Sequence, residues 1–125
     1  ETGMSYTLGG DCITLEAGQD LSSSQFFFVA VAADGQIDPA GDGAHAEGVL
    51  QNDPSAAGQA ATVQISGVSK VVAGGAISVG DAVGSTAAGK ATVAATTDSI
   101  LGTALEAATT DGDVIAVLFQ PRGVA

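Results

Sequence analysis

Apolar positions in this chain come in runs of four to eight residues, bounded by clusters of Gly, Asp, Asn and Pro. The pattern predicts nine strands, over residues 12–15, 25–33, 46–50, 61–66, 68–72, 82–85, 91–94, 100–105 and 114–119. Turn signals separate them, among them Asp34-Gly35, Asn52-Asp53-Pro54, Gly74-Gly75, Gly89-Lys90 and Asp111-Gly112-Asp113. The helix-compatible windows, 55–61 and 101–109, are short and are flanked or broken by glycine and β-branched residues. The fold class that follows is all-β: a small compact clip- or tulip-like domain, a sandwich or a small barrel, with at most one or two short helices.

One run does not alternate. In Phe26-Phe27-Phe28-Val29-Ala30-Val31-Ala32-Ala33 both faces are apolar. A half-solvated antiparallel strand reads apolar-in and polar-out, so this strand is either central in a two-layer core or turned toward another chain. Phe26, Phe27, Phe28, Val29 and Val31 are therefore candidate residues for a core or subunit seam. Three of the five aromatic residues lie here, and with them much of the burial energy.

The glycines carry a second pattern. Gly35, Gly48 and Gly58 are spaced 13 and 10 apart, and Gly89, Gly102 and Gly112 repeat that spacing 54 residues later. At the same offset Val29 matches Val83, Ala33 matches Ala87, Ala40 matches Ala94 and Val63 matches Val117. This predicts a tandem duplication inside a single domain over 25–125, with halves at about 25–67 and 79–121. Two copies are too few for a solenoid and suit a pseudo-symmetric domain. Residues 4–24 read as an extended N-terminal arm. Its alternating apolar residues Tyr6, Leu8, Ile13 and Leu15 are suited to adding a strand to a partner's sheet edge, the alternative being a frayed terminus. Glu1-Thr2-Gly3 precede Met4, which reads as the natural start, and are set aside as an expression remnant.

Charge narrows the function. Fourteen Asp and Glu face three Lys and Arg, a formal net charge of −11. Three cations cannot build a nucleic-acid-binding face or hold an anionic membrane surface, so neither partner is expected. No stretch of 18 apolar residues and no basic, then apolar, leader is present. Cys12 is alone, which excludes an internal disulfide, and reads as a small buried strand residue.

Reaction chemistry is sparse. The single histidine, His45, sits in a loop entering a strand, and no Gly-x-Ser-x-Gly elbow accompanies it. One Cys and one His cannot supply a zinc ligand set. The run Asp34, Asp38, Asp42, Glu47, Asp53 lacks EF-hand spacing; it reads as solvated turn carboxylates, with a calcium site as the alternative. Gly84 to Lys90 echoes a phosphate-binding loop, but Ala91 stands where Ser or Thr is required, so it reads as a β-turn presenting one lysine. The expectation is no enzyme, no catalytic residue, no metal and no cofactor.

The strings Val71-Val72-Ala73-Gly74-Gly75-Ala76-Ile77-Ser78-Val79-Gly80-Asp81-Ala82-Val83, Gly89-Lys90-Ala91, Ile100-Leu101-Gly102-Thr103-Ala104-Leu105-Glu106-Ala107-Ala108 and Gly112-Asp113-Val114-Ile115-Ala116-Val117-Leu118-Phe119 resemble the capsid decoration, or cement, proteins of tailed bacteriophages. The resemblance is good over 68–120 and loose over 26–67. It implies a β-rich fold, in some members clip- or tulip-like as in the lambda head-decoration protein. It also implies a structural role without catalysis: a homotrimer on the outer surface of the capsid at local three-fold points, bound to the major capsid protein and stabilising the shell. On that reading the Phe26–Val31 residues are the trimer or core seam, and Tyr6, Leu8, Ile13 and Leu15 form a capsid-binding arm. The acidic 34–53 stretch and the Phe triplet depart from the family pattern. Two other function classes stand beside it: another phage appendage or adhesin-like β module, and a small ligand-binding or hydrolytic β domain.

Overall fold

The computed structural model describes residues 10–125. The described residues form ten strands and no helix: β1 (Cys12–Ala17), β2 (Phe28–Val31), β3 (Gln36–Pro39), β4 (Gly48–Leu50), β5 (Ala60–Gln64), β6 (Gly67–Val72), β7 (Ala82–Ser85), β8 (Ala91–Val93), β9 (Gly102–Ala104) and β10 (Val114–Phe119). The first five close into a barrel, ordered β1-β3-β2-β4-β5. The last five form a sheet ordered β6-β10-β9-β7-β8.

These two modules share most of their strand pairings. Phe28 pairs with Val49 in the first and Ala82 with Thr103 in the second, each residue displaced by 54. Val29↔Pro39 recurs as Val83↔Val93, Val49↔Gln64 as Thr103↔Leu118, and Leu50↔Val63 as Ala104↔Val117. Only the first strand of each module departs from that offset, by two residues: Cys12↔Gln64 corresponds to Val68↔Leu118. The barrel closes through the parallel pair β1–β3, with Glu16 opposite Gln36 and Ala17 opposite Ile37. In the second module that seam is reduced to one parallel bridge, Ala73↔Ala91.

The repeated glycines mark backbone that no other residue suits. Gly35 and Gly89, and Gly58 and Gly112, hold positive φ in equivalent turns. Gly48 and Gly102 lie flat against the neighbouring strand, where an added Cβ would strike the carbonyl oxygens of Gln64 and Leu118 respectively. Strands β1 and β6 each open a module, β1 pairing with β5 and β6 with β10. The segment expected as an arm is thus, over its described part, built into the fold: β1 pairs along β5 from Cys12 to Glu16.

Seven interior positions also correspond. The first module buries Ala17, Leu21, Val29, Ile37, Leu50, Ala61 and Val63 in one cluster. At the same addresses the second buries Ala73, Ile77, Val83, Ala91, Ala104, Ile115 and Val117. That second cluster continues into the junction between the modules, taking in Phe28, Ala40, Ala46 and Val49 from the first.

Two expectations are corrected. The apolar run over 25–33 becomes a strand only at Phe28, because Phe26 adopts a left-handed backbone with φ 67°. Strand β3 was not expected: Gln36-Ile37-Asp38-Pro39 offers one apolar residue and a proline, yet Ile37 is fully buried and its carbonyl accepts the Gly18 N–H at 2.7 Å.

Candidate functional site

The Phe26–Phe28 segment crosses the junction and enters the incomplete seam of the second module. Its two ends are hydrogen-bonded to opposite lips of the opening. The Val72 N–H donates to the Phe26 carbonyl at 3.0 Å on the β6 side, and the Phe28 N–H donates to the Gly89 carbonyl at 2.7 Å on the β7–β8 turn. Each lip also places a lysine over a ring, Lys70 on Phe26 and Lys90 on Phe27, both 5.9 Å from the ring centroid. Lys90 is held from the other side by Asp111 at 2.9 Å. Phe28 points inward, fully buried, its ring centroid 6.1 Å from that of Phe119. Burying such a ring contributes about 1.5–3 kcal/mol, so the triplet fastens one module to the other. Polar bonds complete the junction: Gln51 Nε2 donates to Ser69 Oγ at 2.9 Å, and Gln64 Nε2 to the Val68 carbonyl at 2.8 Å.

The titratable groups are spread over turns. Asp34 accepts the Gln36 N–H at 2.9 Å, Asp38 accepts Gln19 Nε2 at 2.9 Å, and Glu47 accepts the Val31 N–H at 2.7 Å. His45 is exposed and lies 3.1 Å from Glu47. No three His, Cys, Asp or Glu among the described residues converge as a metal site, so the calcium alternative has no cluster to occupy. Asp113 accepts backbone N–H bonds from Thr109 and Thr110, which hold its carboxyl below the ordinary range. Asp20 is lowered by its bonds with Ser22, through the hydroxyl first and then the backbone N–H. Both are turn-closing carboxylates. The stretch from Gly84 to Lys90 is the β7–β8 turn, in which Thr86 Oγ1 accepts the Ala88 and Lys90 N–H groups. Cys12, expected buried, is exposed: it shares the outward register of β1 with Thr14 and Glu16, while Ala17 turns into the barrel.

The architecture is therefore a closed barrel and an open five-stranded sheet locked by an aromatic insert. Comparison with known families agrees with that kind of protein: the family model described as phage cement protein matches residues 9–119. The chain belongs to the phage cement protein family. No curated protein matches the chain. Among solved structures it is similar to the N base of head fiber gp8.5 of bacteriophage phi29, with a TM-score of 0.73 and 21% identity over 92% of this chain and 97% of that one. At that identity the likeness is one of fold.

As a member of the cement family the chain is a virion-associated capsid structural protein. Of its expected contact residues, Phe28 and Val29 are fully buried within the protomer and Val31 is 43% exposed. Phe26 and Phe27 are half-buried beneath the lysines. Ile13 and Leu15 sit on β1, with Ile13 41% exposed and Leu15 packed against the barrel core. Tyr6 and Leu8 lie outside the described residues. Sequence reading missed the part played by Lys70 and Lys90. The available signal was their scarcity: they are the only lysines in the chain.

Proposed function

We propose that this cement-family protein binds the outer surface of a phage head as a homotrimer at local three-fold sites, through the major capsid protein, and braces the shell. Family membership across residues 9–119 carries the reading. The fold supports it, since the acidic residues Asp34, Asp38 and Glu47 bond neighbouring groups within the protomer and the Phe triplet joins the two modules. The mechanism is mass action. A protein that binds only the assembled shell stabilises it by about 2.7 kcal/mol per site at a hundredfold excess over Kd, and three linked contacts share one association cost.

A second reading is favoured by one observation, the match to the N base of a phage head fiber. On it the chain seats a longer appendage rather than acting as a brace. Pelleting separates the readings from a non-capsid role. Purified protein mixed with undecorated shells of its own phage should co-sediment to a saturating ratio. Protein left wholly in the supernatant would overturn both.

A further inference from the structure

The duplication supplies an internal control for the protein's surface. On the outer face of the second module, β6 and β10 present Val68, Lys70, Val72, Val114 and Leu118, with Ala116 buried. At the same addresses the first module presents Cys12, Thr14, Glu16, Ala60 and Thr62, while Gln64 is buried and bonded to the Val68 carbonyl. The register is identical, so the change from polar to apolar is not demanded by the fold. A solvated face of an antiparallel sheet reads polar, as the first module does. The second face reads as one that is covered. Val114 is 51% exposed and belongs to neither core cluster. Half-buried Phe26 lies beside Val72, whose N–H its backbone carbonyl accepts.

Charge indicates what covers it. Residues 10–66 hold eight carboxylates and no Lys or Arg, a net of −8, while residues 67–125 hold three cations against five carboxylates, a net of −2. Lys70 stands in the middle of the apolar face, with no carboxylate in ion-pair range among the described residues. Arg122 stands at its Leu118 end, bonded at 2.9 Å to Thr103, the strand partner of Leu118. A largely apolar face with Lys70 at its centre and Arg122 at one end, on an otherwise acidic molecule, is complementary to that molecule's own acidic half.

We infer that the outer face of β6 and β10 is the self-association surface and that it seats the acidic first module of a second copy. The inference rests on the homotrimer reading and specifies its contact. Such a contact is heterologous, one patch meeting a different one, which is what a closed three-fold ring requires. Exposed carboxylates of the neighbour's first module, such as Asp34, Asp42 and Asp53, face Lys70 and Arg122, while Val72, Val114 and Leu118 supply the desolvated centre.

Sedimentation equilibrium of the full chain tests this by removing charge and apolar surface from the β6–β10 face. The pair Lys70→Thr with Val72→Glu should weaken self-association by roughly 100-fold, and Val114→Thr alone by roughly 10-fold. The first-module control Thr14→Ala with Thr62→Ala should leave it unchanged, and circular dichroism should show every variant folded. Should the double variant fail to fold, Val114→Thr decides. Undiminished association in Val114→Thr and the folded double variant overturns the inference and leaves the trimer standing. A wild-type chain that is monomeric at every concentration overturns both.

Discussion

In the first module the interior is filled by that module's own side chains, with Leu21, Val29, Ile37, Leu50 and Val63 meeting inside a closed barrel. In the second, Ala91 and Ala104 stand where the first has Ile37 and Leu50, and only Ile115, in place of Ala61, returns volume. The deficit is made good from outside the sheet: Phe28, Ala40, Ala46 and Val49 of the first module join its core. The barrel is thus a self-contained half and the open sheet a dependent one. The open β6–β8 seam is the place where the dependence is built.

The comparison breaks most visibly at Phe28. Phe28→Ala should cost about 3–5 kcal/mol, because the cavity opens against Phe119 where nothing can collapse into it. Native-state hydrogen exchange should show the loss first in β6 to β10. Equal loss of protection in both modules would mean that the halves are not asymmetric. Next in size is a matched pair of glycine substitutions. Gly48→Ala and Gly102→Ala each drive a methyl into a strand carbonyl at equivalent addresses and should each cost about 2–3 kcal/mol in denaturant melts. Values differing by more than about 1 kcal/mol would show that the second ladder yields more easily than the first.

Phe26→Gly should change stability far less. Gly80 occupies the same left-handed backbone position in the second module, so the substitution relieves about 1 kcal/mol of strain while removing the ring beneath Lys70. A loss as large as that of Phe28→Ala would show that the ring itself holds the seam. The smallest effect concerns pH. Asp113 and Gln59 close equivalent turns, accepting the N–H groups of Thr109 and Ser55, but only Asp113 titrates. Its lowered pKa means that its stabilisation is complete above the ordinary aspartate range and fades as pH falls through the lowered value. Asp113→Gln should flatten the acid limb of the thermal midpoint; an unchanged limb would assign it to other carboxylates.

The extent to which the sequence discloses this arrangement depends on what each residue is asked to do. Strands β7 and β10 lie within their expected bounds, because turn glycines and Asp fix both ends and β-branched residues fill the middle. The offset of 54 is legible because Gly48 and Gly102 answer to a backbone contact that tolerates no Cβ. Strand β1 and its counterpart β6 are harder to match: they share no side-chain pattern and depart from the offset by two residues, so one reads as an arm and the other as a strand outside both halves. Strand β3 hides because only Ile37 faces the core. The Phe triplet announces burial, but not that one ring faces inward and two lie under lysines, since that follows from the left-handed turn at Phe26. The outer face of β6 and β10 is invisible until the registers are known, because its apolar character shows only against the matched polar pairs of the first module.

The proposed bracing of a phage shell by this two-module cement protein has a calorimetric signature. Scanning calorimetry compares undecorated shells from its own phage with and without saturating protein. Bracing predicts that the shell-disruption transition moves to higher temperature and rises further with protein concentration, as linkage to the bound state demands. A transition that stays in place although the protein pellets with the shells would contradict it and leave a seat for an appendage.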